Sequence, residues 1–180
     1  TASNAYGFNK GFVTDCTFTN CELTSNYALI YNASLCRCKF TSCSSTGSGT
    51  LISTCRVKDT LVDNCYGSIT YTCSLANVVI QNSNIKYAFN NPRATNCVIY
   101  NNTSTVTNAA ISGGNASECD VLNNTIEFAS SPNTGQLCSG NLYDCRVENN
   151  ASNGNYAPGY SNGSGYCYDT LFRNNKGKLI

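Results

Sequence analysis

The chain contains no histidine, no methionine and no tryptophan. Without imidazole it lacks the commonest general base and the commonest metal ligand, which excludes the dyads and metal centres that depend on them. Charge is also scarce, at 12% of residues against about 25% in an ordinary globular protein. Eleven basic side chains face ten acidic ones for a net charge of +1, so the sequence offers no electrostatic footprint for nucleic acid or for an anionic membrane. Long apolar runs are missing: the longest, such as Ala28-Leu29-Ile30-Tyr31, are strand-sized and far short of the roughly 18 residues that span a bilayer. Direct membrane insertion is therefore not expected. Nor do apolar residues recur at helical spacing over the ten or so positions a helix would need.

What fills the chain instead is asparagine, serine and threonine, together 66 of 180 residues, with asparagine alone at 27. Such polarity would suit a disordered segment, but 41% hydrophobic residues, 13 Cys, 12 Tyr and 7 Phe argue for a packed core. The length fits one domain, residues 1–180. The start is not a Met and no signal-peptide pattern is present, so the chain reads as a mature or excised segment of a longer surface protein. Low charge and N-x-S/T triplets such as Asn32-Ala33-Ser34 and Asn115-Ala116-Ser117 fit an extracellular or cell-surface location.

One pattern recurs along the sequence: apolar, two residues, a small residue or Cys, one residue, apolar, one residue, Asn, then Cys or Asn. It appears as Val13-x-x-Cys16-x-Phe18-x-Asn20-Cys21 and returns seven times, ending as Cys167-x-x-Thr170-x-Phe172-x-Asn174-Asn175. Its central anchors are Phe18, Phe40, Val62, Ile80, Ile99, Val121, Val147 and Phe172, with a mean spacing of 22 residues. The alternation around each anchor has the period of a strand. A second apolar cluster sits midway in most repeats, and turn-forming residues separate the two. A unit this short cannot bury its own apolar face, so copies must stack. The expected fold is all-β: a right-handed parallel β-helix (solenoid) of about eight coils of roughly 22 residues, on the order of 40 Å long at about 4.8 Å per rung. A leucine-rich repeat lacks support because its leucine spacing is absent, and a β-sandwich would not explain one template recurring in register.

Stacking turns each template position into a file of like residues. Asn20, Asn64, Asn82, Asn101, Asn123, Asn149 and Asn174 form the expected asparagine ladder, suited to left-handed turns and to amide bonds along the axis. The next file begins as Cys21, Cys43 and Cys65. Parallel Cβ vectors on stacked rungs disfavour bridging, so most cysteines are expected as packed thiols, with Cys55 and Cys73 the candidate disulfide. No cofactor is implied and no metal site is expected, since the sequence has no C-x-x-C pair and no histidine.

No catalytic constellation stands out. Glu118, Asp144 and Asp169 share one outward position on three consecutive coils, and a row of carboxyls about 5 Å apart could serve glycoside chemistry or bind calcium. Arg146 and Arg173 would neutralise two of them, and solvated turn carboxylates explain the row equally well. The insertion from Asn153 to Tyr168 presents Tyr156, Tyr160, Tyr166 and Tyr168, whose rings could stack on sugar faces, although an ordinary long turn has the same composition. Leu61, Val79 and Val98 align outward on three coils and would suit a lateral contact.

The strand-turn unit resembles the repeats of bacterial polymorphic outer-membrane proteins and related autotransporter passengers. Phe172-Arg173-Asn174-Asn175 matches their F-x-x-N motif in full, and Ile99…Asn102, Val121…Asn124 and Val147…Asn150 match it with an aliphatic residue for Phe. Gly49-Thr50-Leu51-Ile52 and Gly67-Ser68-Ile69 look like forms of the family's G-G-A-[ILV] motif. The resemblance implies a surface β-helix, commonly an adhesin. The expected function is thus a structural or adhesive segment whose partner is a protein or glycan at a surface. The repeat runs almost to both ends and Lys176–Ile180 stops in mid-coil, so either flanking coils complete the stack or copies self-associate, end to end into filaments or laterally. A carbohydrate-active enzyme using Glu118, Asp144 and Asp169, or a glycan-binding module using the tyrosines, is the alternative.

Overall fold

A computed structural model describes residues 6–24, 26–105, 110–127, 137–152 and 166–177. Among them every regular element is a short β-strand and none is a helix. Where a coil is described throughout it turns three corners, and the strands pair in parallel with the coil before and the coil after. The result is a parallel β-solenoid. One face is an eight-stranded sheet built from Thr17–Thr19, Lys39–Thr41, Leu61–Asp63, Val79–Gln81, Val98–Tyr100, Asp120–Leu122, Arg146–Glu148 and Leu171–Arg173. The other two faces join into a seventeen-stranded sheet. Eight rungs stand on the short face, one per repeat, but they close only about six turns, slightly fewer than the eight coils expected.

Register follows the repeat. Phe18 pairs with Phe40, Phe40 with Val62, Val62 with Ile80, Ile80 with Ile99, Ile99 with Val121, Val121 with Val147 and Val147 with Phe172. The template's first position forms a second inward file, Val13, Leu35, Val57, Leu75, Ala94, Ala116, Leu142 and Cys167. A third runs through Ile30, Ile52, Thr70, Phe89 and Ile111. These files meet in one core whose side chains from Phe40 to Val147 on the short face are fully buried. At about 25 cal/mol per Å² of apolar surface, each such anchor stabilises the fold by roughly 1.5–3 kcal/mol. The aromatic pair Phe18 and Phe40 stacks with ring centroids 4.6 Å apart and planes 9° apart, the spacing of one rung. Leu61, Val79 and Val98 do align in register, half-buried, on the outside of the short face.

The corners explain the composition. Twenty-one non-glycine residues hold a positive φ between 45° and 66°, and eleven of them are asparagine. That backbone region penalises most side chains and tolerates Asn and Asp best. From Asp15 to Asn91 the chain turns there three times per coil.

Candidate functional site

Each corner is a pair: a left-handed residue facing solvent, then a residue facing inward. At the corner after the short face the left-handed residues are Asn20, Ser42, Asn64, Asn82, Asn101, Asn123, Asn149 and Asn174, all near φ 50–56°. Their side chains link only in part along the axis: Asn101 Nδ2 donates to Asn82 Oδ1 at 2.8 Å, Asn82 Nδ2 to Asp63 Oδ1 at 2.9 Å, and Asn64 Nδ2 to the Ser42 hydroxyl at 3.1 Å. The continuous ladder stands one position later. Asn102 Nδ2 donates to Asn124 Oδ1 at 3.0 Å, Asn124 Nδ2 to Asn150 Oδ1 at 3.1 Å and Asn150 Nδ2 to Asn175 Oδ1 at 3.0 Å. Each Oδ1 also accepts the backbone N–H of the equivalent residue one coil earlier, from Ser83 to Asn150, at 2.8–3.0 Å. Each Nδ2 donates a further bond to a main-chain carbonyl, Ile80, Ile99, Val121 or Val147. The asparagine ladder expected at Asn20 and its equivalents is therefore a turn file, and the buried ladder is its neighbour.

This bonding also explains the cysteines. In the early coils the same inward file is Cys43, Cys65 and Ser83, and the N–H of Cys43 donates to Cys65 Sγ at 3.4 Å while that of Cys65 donates to Ser83 Oγ at 2.9 Å. Sulfur, hydroxyl and amide oxygen answer one need, an acceptor for the N–H that follows a left-handed turn. No disulfide joins any of the thirteen cysteines. Cys55 and Cys73 do lie on neighbouring coils, with the Cys55 N–H donating to Cys73 Sγ at 3.4 Å, but both are thiols. Stacked Cβ vectors run parallel, and a bridge would have to bend them together. Hydrogen bonding with Cys119 lowers the Cys145 thiol against the pull of burial, and hydrogen bonding to Cys145 and Cys97 together with burial pushes Cys119 up.

The carboxylates Glu118, Asp144 and Asp169 stand exposed in one file, at the left-handed position of the corner before the short face. The same position with the same φ holds Asp15, Arg37, Asp59, Asn77 and Asn96 in the other coils, so residue type there answers to the backbone. Arg146 and Arg173 do not neutralise this file. Arg146 forks onto Asp120 with bonds of 3.0 and 2.6 Å, and Arg173 bonds Glu148 at 3.0 Å. At the other end of the file Arg37 forks onto Asp15 at 2.7 Å, and that hydrogen bonding, with a second from Thr14, holds the Asp15 carboxyl below its ordinary range. No group of three or more metal-ligating side chains comes together among the described residues.

Of the tyrosines marked by the sequence, Tyr156 and Tyr160 lie outside the described residues. Tyr166 and Tyr168 are exposed; Tyr168 stacks on Tyr143 at 5.4 Å and leans on Tyr166 at 6.3 Å. A larger aromatic assembly lies elsewhere, on the long face of the first five coils. There Tyr6, Tyr27, Tyr31, Tyr71 and Tyr87 line a lateral groove of about 320 Å³. Tyr6 stacks on Tyr31 at 4.3 Å and meets Tyr27 edge-on at 5.1 Å, which locks one wall. Across the groove Tyr71 stands 47% exposed. Ser53 and Ser68 form the floor, and Lys86 brings the one charge to the lining. The groove sits at the lower end of the roughly 300–1,000 Å³ typical of small-molecule sites.

This site was not read from the sequence, though a signal existed. Tyr31, Ser53, Tyr71 and Asn90 each immediately precede a left-handed corner residue, Asn32, Thr54, Thr72 and Asn91, and they pair in register across four coils. Searched against protein-family models, curated proteins and solved structures, the chain matches none. Fold and groove together define a class of object: a parallel β-solenoid with an aromatic-walled lateral cleft.

Proposed function

We propose that this chain is an adhesive β-helix segment of a surface protein, working outside the cell and holding a partner glycan or protein along its lateral face. The observation that carries the reading is the groove walled by Tyr6, Tyr27, Tyr31, Tyr71 and Tyr87. Tyrosine offers rigid, amphipathic contact area at low conformational cost, the property that recognition surfaces exploit. A solenoid supplies what such a surface needs, since its rungs are fixed by parallel pairing on both sides and buried files behind them. The likeness of its repeats to those of polymorphic outer-membrane and autotransporter passengers, carried by Phe172-Arg173-Asn174-Asn175 and its aliphatic variants, supports the same reading.

The test is retention of the labelled chain on glycan-coated surfaces compared with albumin-coated ones. Retention at least about tenfold above albumin is expected on one or more glycans, and Tyr71→Ala should abolish most of it, as loss of an aromatic anchor costs about 2 kcal/mol or more. A wild-type chain that stays on no glycan or protein surface would overturn the proposal.

A further inference from the structure

In the outward file of the long face, tyrosine occupies two rungs and serine the rung between them. Tyr31 pairs with Ser53, and Ser53 with Tyr71. Aromatic rings on adjacent rungs of this molecule stack at 4.6 Å, as Phe18 and Phe40 do. Tyr31 and Tyr71 are two rungs apart, about 9.6 Å along the axis. A flat ring needs roughly 3.5–4.0 Å on each side, so this span admits one ring, in contact with one tyrosine at a time, and is too narrow for two. Ser53 therefore leaves a slot one ring thick, and the groove opens over it.

The lining selects among flat ligands. Ser48, Thr50, Ser68 and Asn90 surround the slot with hydroxyl and amide groups that both donate and accept, which matches the hydroxyl fringe of a sugar more closely than a bare aromatic ring. Lys86 is the one charged side chain in the lining, no carboxylate stands beside it there, and it makes no ion pair among the described residues. An ammonium group so placed favours an anionic substituent on the ligand.

We infer that the slot between Tyr31 and Tyr71 binds an acidic pyranose, a uronic-acid unit of a polysaccharide, with its ring over Ser53 and its carboxylate toward Lys86. The inference rests on the adhesive reading and names the chemistry its groove accepts.

Calorimetric titration with a trimer of galacturonic acid and with cellotriose tests it, on the wild type, Ser53→Tyr and Lys86→Gln. The wild type should bind the acidic trimer at least tenfold more tightly than the neutral one. Ser53→Tyr fills the slot with the protein's own ring, so binding should fall more than tenfold while the melting temperature holds or rises. Lys86→Gln, an exposed change that leaves the fold intact, should reduce the acidic trimer to the level of cellotriose. Equal affinity for the two trimers in the wild type, or unchanged binding by Ser53→Tyr at an unchanged melting temperature, would overturn the inference. Those results would leave the adhesive proposal standing if the chain is still retained on glycan surfaces, whereas loss of all retention would remove both.

Discussion

At the corners, two adjacent asparagines do different work. Asn123 holds φ at 54° and faces solvent, whereas Asn124 is buried, takes the Asn102 N–H at 2.9 Å and gives its own amide to Ile99 and Asn150. Leaving a buried donor unsatisfied costs about 1–3 kcal/mol, and Asn124→Ala orphans more than one group. We expect it to lower stability by about 3 kcal/mol, read as a shift in the denaturant midpoint. Asn123→Gly should stay within about 1 kcal/mol of the wild type, because glycine accepts a positive φ. Equal losses from both would contradict the division of labour. The sequence showed asparagine in both files but not which one was buried, since period alone does not say which residue of a corner pair turns inward. It also showed the interchange of Cys, Ser and Asn at the second position without its cause. That cause is the acceptor needed by the preceding coil's N–H, seen at Cys65, Ser83 and Asn102 alike.

At the scale of the strand, the half of each repeat that carries the template was legible in detail. Val13, Cys16 and Phe18 and their equivalents stack in the registers their spacing implies, because alternation fixes which side chains face inward and a one-residue slip would expose them all. The other half was legible only as apolar clusters. Its coils vary in length, so Tyr31 and Tyr71 lie 40 residues apart, two unequal coils of 22 and 18, and their common file is hidden from a fixed period. A bulge adds to this: pairing between the fourth and fifth coils shifts register after Gly67, which holds φ at 100°. A Cβ on Gly67 would collide with the Ser45 carbonyl oxygen. Gly67→Ala should therefore cost about 3 kcal/mol, the upper end of what a strained backbone position carries, and it should perturb the groove floor at the neighbouring Ser68. A melting temperature equal to the wild type would show that this bulge is not constrained.

For the molecule as a whole, the fold was readable because a solenoid repeats one local solution, so that a single template constrains every coil. The binding face was not, because it depends on what lies outside the template: a ring missing at Ser53, a wall supplied from Tyr6 before the first strand, and a lysine from the fifth coil. The carboxylate file from Glu118 to Asp169 drew attention as chemistry, and its geometry is that of the turn. Every site described here exists only if successive coils lie directly on one another. Nuclear Overhauser contacts in a methyl-labelled sample measure that most directly. The account predicts cross-rung contacts from Val62 to Ile80, from Ile80 to Ile99 and from Val121 to Val147, in the parallel pattern. Absence of those contacts, or an antiparallel pattern between the same segments, would contradict it.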